Sequence, residues 1–157
     1  MTRHGHDKLV QLGRRNARRR HSGQAEATAE RLGAWVGRVL SQVRVSDVSL
    51  VLDFWELDDD FSAWLYADEI EVSGSGVNPV ESRVRRTSSE AVVAMHALLG
   101  REVTAAEVTE GHLRLAFAEG AEVLVAPESN QQAWALTFEQ GGTITCEADG
   151  ALDVRVS

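Results

Sequence analysis

One cysteine and two prolines occur in 157 residues, and no apolar run approaches the length of a membrane span. The lone Cys146 allows no disulfide framework within a single chain and no paired-cysteine zinc site. So few prolines among 43% hydrophobic residues argue against disorder of the whole chain. A spanning helix needs roughly 20 apolar residues, and the N-terminus has no signal-peptide pattern, so a cytoplasmic protein without membrane contact is expected. The common catalytic motifs are missing too. There is no HExxH, CxxC or calcium-loop spacing, and Gly74-Ser75-Gly76 lacks the third glycine and the helix start of a dinucleotide fingerprint. Histidines at 4, 6, 21, 96 and 112 have no cysteine at zinc spacing. The sequence thus predicts no catalytic residue, no metal site and no cofactor.

What is present is an uneven charge. Residues 1–22 carry seven basic side chains against Asp7 alone, a balance of +6. The remaining residues carry nine basic and 23 acidic side chains, a balance of −14, for −8 in all. Residues 1–22 also have few apolar side chains and cannot bury enough area to fold alone. They are expected to form a basic, disordered arm, leaving 23–157 as one domain, a size that supports a core without metal or disulfides.

A repeat organises that domain. Adding 63 to a residue number carries Gly37-Arg38 onto Gly100-Arg101, Val45 onto Val108, Leu50 onto Leu113, Leu52 onto Leu115 and Phe54 onto Phe117. Leu40 against Val103 is a conservative match. After Phe54 the copies drift, each reaching a tryptophan, Trp64 or Trp134. The units run over about 24–72 and 88–138, with 139–157 as a closing hairpin.

In chain order, residues 24–35 read as a helix, and Val43 to Trp55 reads as strand from its β-branched and alternating apolar residues. Asp58-Asp59-Asp60 turns the chain into a return strand over Phe61 to Tyr66, which Ile70 and Val72 extend. Ser73 to Asn78, Pro79 and the following ESRVRR form a linker. Thr87-Ser88-Ser89-Glu90 fits a capping box opening a helix over 88–99. Strands are expected near 102–108, 113–117, 123–125, 133–138, 143–146 and 152–156, with bends at Glu110-Gly111, Glu119-Gly120, Gly141-Gly142 and Asp149-Gly150. The class expected is α+β, with a mainly antiparallel, curved or rolled sheet built from two helix-plus-meander repeats.

Alternation sets Trp55 on the face opposite Phe54, and Trp64 opposite Leu65. Aromatic side chains outside a core favour recognition surfaces. Trp55, Trp64 and Tyr66, with the acidic tip Asp58, Asp59 and Asp60, are therefore the candidate partner-binding residues. The basic run Arg14, Arg15, Arg18, Arg19 and Arg20 is the candidate for nucleic acid, through counterion release.

The second copy contains Leu99-Gly100-Arg101, Gly111 to Phe117 as Gly-x-Leu-x-Leu-x-Phe, Glu119-Gly120, Val125-Ala126-Pro127 and Ala133 to Leu136 as Ala-Trp-x-Leu. This pattern of about forty residues resembles a family of small actinobacterial domains of unknown function. The chain departs from it at Gln132, where an acid is usual, and by its basic arm. The resemblance implies no established activity. Small acidic β-rich proteins of this kind also look like the immunity proteins of bacterial toxin systems, which bind and block a partner enzyme. The expectation is a non-enzymatic protein-binding domain for a basic partner or toxin, with a nucleic-acid-associated protein as the alternative.

Overall fold

The computed structural model describes residues 25–56, 59–74, 83–86, 88–138 and 141–156. The arm, including Arg14 to Arg20, lies outside the described residues, as does Asp58. Helix α1 occupies residues 25–33. It is followed by β1 (Gln42–Val45), β2 (Leu50–Glu56), β3 (Asp59–Leu65), β4 (Glu69–Ser73) and β5 (Arg83–Arg85). Helix α2 (Ser89–His96) opens the second half, followed by β6 (Val103–Thr109), β7 (His112–Phe117), β8 (Glu122–Val125), β9 (Trp134–Thr137), β10 (Thr143–Cys146) and β11 (Leu152–Arg155).

The strands form two antiparallel sheets. One has the order β1-β2-β3-β9-β10-β11, the other β5-β4-β8-β7-β6. Period-two alternation supplies both inner faces: Leu50, Leu52 and Phe54 on β2, and Leu113, Leu115 and Phe117 on β7, are all buried in one core. Phe54 and Phe117 stack across the layers with centroids 6.2 Å apart. Helix α2 lies against β1, β4 and β5, while α1 faces Val108 of β6 and Leu152 of β11. The helices thus close two opposite open sides and leave both outer sheet faces uncovered by any described helix.

The offset of 63 is a real two-fold relation between the halves. The β1–β2 register, Gln42↔Asp53 through Val45↔Leu50, maps onto Ala105↔Ala116 through Val108↔Leu113 in β6–β7. Near the pseudo-axis, Gly37 N–H donates to Val103 O (2.9 Å), and its equivalent Gly100 N–H donates to Leu40 O (2.8 Å). Leu40 N–H donates to Arg101 O, and its equivalent Val103 N–H donates to Arg38 O. Both glycines have positive φ, 91° and 80°, where other residues are strained. The core pairs follow the same rule: Leu32 with Met95, Trp35 with Leu98, and Leu40 with Val103 are all buried.

The halves exchange strands. β4 leaves the first meander to pair with β8, and β9 leaves the second to pair with β3. Ile70 and Val72 therefore do not extend the Phe61 strand; they form β4 in the other sheet. Val43 to Trp55 is a hairpin rather than one strand. Its turn, Ser46 to Ser49, is closed by Ser46 Oγ accepting from Ser49 N–H (3.1 Å), a serine turn without glycine or proline. Part of the expected linker is strand β5. At α2 the N-cap is Ser88, whose side chain accepts from Ala91 N–H, so Ala91 holds the position that a capping box gives to glutamate. Trp64 and Trp134 are not equivalent: they lie on neighbouring strands, with Trp64 opposite Ala135 and Trp134 opposite Leu65. Trp134 is buried and Trp64 points the other way.

Candidate functional site

The outer face of the six-stranded sheet carries Trp55, Asp60, Trp64 and Tyr66 from among the candidates. On β2 the outward residues are Val51, Asp53 and Trp55, and on β3 they are Asp60, Ser62 and Trp64. The register sets Trp55 opposite Asp60, Asp53 opposite Ser62 and Val51 opposite Trp64. Ala135 and Thr137 of β9 continue the face beyond Trp64 and Ser62. Trp55, near the end of β2 beside the β2–β3 turn, is 56% exposed, a large apolar surface. Asp60 is exposed, and Trp64 and Tyr66 are half-buried. Together with Arg44, Ser62 and Thr137, the residues Asp60, Trp64 and Tyr66 line one shallow hollow. The side chain of Asp59 lies outside the described set.

A polar network that sequence reasoning missed holds this face. Asp53 is only 2% exposed although it sits on the outer side. Arg44 grips it with both arms of its guanidinium, Nε to Oδ2 at 2.6 Å and one Nη to Oδ1 at 3.0 Å. Ser62 Oγ donates to the same carboxylate at 2.7 Å. The Arg44 guanidinium also lies 5.4 Å from the centroid of Trp64, a cation–π contact that fixes the ring. Its charge is held still more firmly than an ordinary arginine's, chiefly by the Asp53 hydrogen bond. Burial raises the Tyr66 hydroxyl above its usual pKa, so it stays a neutral donor. Alternation puts Asp53 on the same face as Trp55, but only the β1–β2 register brings Arg44 to it.

The second copy is an internal control for these residues. Its matching outer positions are Glu107 for Arg44, Arg114 for Val51, Ala116 for Asp53 and Ala118 for Trp55. Trp64 corresponds to Leu124, since Leu124 pairs with Arg114 as Trp64 pairs with Val51. There the face is a ladder of charges, with Arg114 bonded to Glu122 (2.8 Å) and Glu107 (3.0 Å). The same hairpin geometry is thus built once with aromatic outer residues and once with charged ones. The hollow beside that ladder, lined by Glu69, Glu71, Arg85, Arg86, His112 and Glu128, carries charges of both signs.

Cys146 is buried, its Sγ lies 3.4 Å from Gly111 O, and burial pushes its pKa up to about 11, so it is a neutral thiol at physiological pH. His96 is exposed, and His112 Nδ1 lies 3.3 Å from the Glu110 carbonyl. Among the described residues no group of three or more His, Cys, Asp or Glu side chains is arranged to hold a metal ion. No described helix is long and apolar enough to cross a membrane.

One family model matches the chain, described as a family of unknown function (DUF6188), over residues 32–156. The match begins near the end of α1 and runs through β11, so it takes in strands of both copies of the repeat. No curated protein matches the chain, and no solved structure does.

Proposed function

We propose, for a chain that belongs to the family of unknown function DUF6188, that this domain is a non-enzymatic protein-binding module. Its binding surface is the outer face of the six-stranded sheet at Trp55, Asp60, Trp64 and Tyr66, with the neighbouring Asp58 and Asp59 in the same acidic segment. The observation that carries this reading is the divergence of the two copies. Inner positions are kept, as in Leu50/Leu113, Leu52/Leu115 and Phe54/Phe117, while the outer positions change from Ala118 and Leu124 to Trp55 and Trp64. Exposed tryptophan and tyrosine beside a fixed arginine match the side chains enriched in binding hot spots. The balance of −14 outside the arm favours a basic partner, whose approach it accelerates. An immunity-type role is the form of this proposal in which the partner is an enzyme blocked by the bound domain, in the cytoplasm.

The test is capture of a stoichiometric protein by tagged chain, followed by association kinetics. Asp60→Asn is expected to lower the on-rate and flatten its salt dependence while leaving the melting temperature unchanged. An on-rate indifferent to Asp60 and to salt overturns the assignment of this face to a basic partner. The second reading, nucleic-acid association through Arg14, Arg15, Arg18, Arg19 and Arg20, rests on the +6 balance of residues 1–22. It requires binding that falls steeply with salt and is lost in a 23–157 chain.

A further inference from the structure

The hollow on the aromatic face offers hydrogen-bond acceptors where its own donors are already spent. Its floor is small, made by Ser62 on β3 with Ala135 and Thr137 on β9. Trp64 and Tyr66 give it aromatic walls, and exposed Asp60 stands at its rim. Ser62 Oγ donates its hydrogen to Asp53 Oδ1 (2.7 Å), and Thr137 Oγ1 donates to Ser62 O (3.3 Å). Each hydroxyl oxygen keeps lone pairs as acceptors. Arg44 commits Nε and one Nη to Asp53. Among the described residues the Asp60 carboxylate makes no hydrogen bond and no ion pair, and it acts on Arg44 only through space. Arg44 is matched by Asp53, so the charge of Asp60 is the surplus on this face.

The second copy shows how the same frame treats an acid at this level. The registers put Glu122 at the place of Ser62 and Glu71 at the place of Ala135. There an arginine of the chain itself, Arg114, bonds Glu122 at 2.8 Å and lies opposite Leu124, the equivalent of Trp64. The first copy has Val51 at the place of Arg114, and its acid Asp60 has no arginine of its own.

We propose, resting on the reading of this face as a protein-binding surface, that the hollow receives the side chain of an arginine presented by the protein partner. The guanidinium meets the Asp60 carboxylate, stacks on the aromatic wall and donates to the hydroxyl oxygens beneath it. Five N–H donors on a flat cation suit this lining. A lysine ammonium is a compact, strongly hydrated point charge with three donors and no plane to stack. The chain grips its own Arg44 in the same manner, with a carboxylate at the edge of the guanidinium and Trp64 5.4 Å away. At about 370 Å³ the hollow lies at the small end of the about 300–1,000 Å³ of ligand pockets, and it is shallow. It takes one side chain rather than a whole ligand. Exposed Trp55, opposite Asp60 in the register, continues the contact outside it, so the arginine belongs to a protein rather than to a small guanidinium compound.

The test titrates the full chain with acetylated, amidated Gly-Gly-X-Gly-Gly peptides, where X is arginine, lysine or citrulline, and follows the indole N–H resonance of Trp64 by NMR. Citrulline keeps the shape of arginine without its charge. The arginine peptide is expected to shift this resonance to saturation with a dissociation constant of about 1–10 mM, as befits a single anchor. The lysine and citrulline peptides are expected to bind about fivefold and about tenfold more weakly. Asp60→Asn is expected to weaken the arginine peptide about fivefold with an unchanged melting temperature. A Trp64 resonance that does not respond by about 50 mM arginine peptide overturns the proposal. So does a lysine or citrulline peptide that binds as tightly as the arginine peptide, a comparison that needs no variant. No partner enters this titration, so the two readings fail separately. A missing arginine response, with partner binding still dependent on Trp55, overturns the anchor and leaves the protein-binding face standing. An arginine response, with a captured partner indifferent to Trp55 and Trp64, overturns the protein-binding reading and with it the partner as the source of the arginine.

Discussion

The Arg44–Asp53–Ser62 network is where a single residue decides most. A carboxylate 2% exposed is costly to leave unpaired, and Arg44 supplies two of the three side-chain hydrogen bonds described for it. Arg44→Met is expected to destabilise the fold by about 1–3 kcal/mol, less than a fully buried pair because the arginine is half exposed to solvent. Replacing both partners, as Arg44→Met with Asp53→Ala, is expected to recover most of that loss, since Ala116 stands at the equivalent place in the second copy. Urea denaturation of the two variants measures it; a double variant no more stable than the single one contradicts the account. Aromatic residues at this scale were legible early, because alternation alone separated Trp55 from Phe54 and Trp64 from Leu65. The network was not legible, because Arg44 and Asp53 lie nine residues apart and meet only through the β1–β2 register.

Among elements, the bends read best and the crossovers worst. Glu110-Gly111, Glu119-Gly120 and Asp149-Gly150 all have the positive φ that acidic-glycine turns imply. The turn at Ser46 to Ser49 escaped notice because its closure comes from a serine side chain rather than from glycine. β4 escaped because Ile70 and Val72 alternate like any strand, and alternation does not say which sheet receives it. One bend has a tertiary role that its local sequence hides. A side chain on Gly111 would meet Gly150 Cα at 2.7 Å and O at 2.9 Å, so the two turns cross backbone against backbone. The Gly111 carbonyl there also accepts from Trp134 Nε1 at 2.8 Å. Gly111→Ala is expected to cost at least about 2 kcal/mol through clash and positive φ together. Gly120→Ala, with φ 79° and open space around it, is expected to cost about 1 kcal/mol. Thermal melts of the pair distinguish them, and equal losses would contradict the crossing.

At the scale of the molecule, the repeat was readable as a matched inner face, while the exchange of β4 and β9 was not. The sequence kept Leu50/Leu113, Leu52/Leu115 and Phe54/Phe117 because both sheets need the same inward side chains. It carried no mark of which sheet each later strand joins, since pairing partners lie far apart in the chain. Because β4 completes the sheet of the second half and β9 to β11 complete that of the first, each half exposes an unpaired meander when alone. Fragments 23–80 and 81–157 are expected to be unfolded separately and to assemble when mixed, followed by circular dichroism and co-elution. A fragment that folds alone would contradict the exchanged architecture. The same duplication gives the chain two outer faces on one frame, and the function proposed above assigns partner binding to the aromatic one.

The most direct measurement of that claim makes the first face resemble the second. The variant Trp55→Ala with Trp64→Leu places the residues of Ala118 and Leu124 at their equivalents. Its affinity for the captured partner is then compared with that of the wild type by calorimetry. The account predicts an unchanged fold, with a melting temperature within a few degrees, and binding weakened by about 2 kcal/mol or more. A folded variant that binds the partner as tightly as the wild type would contradict it.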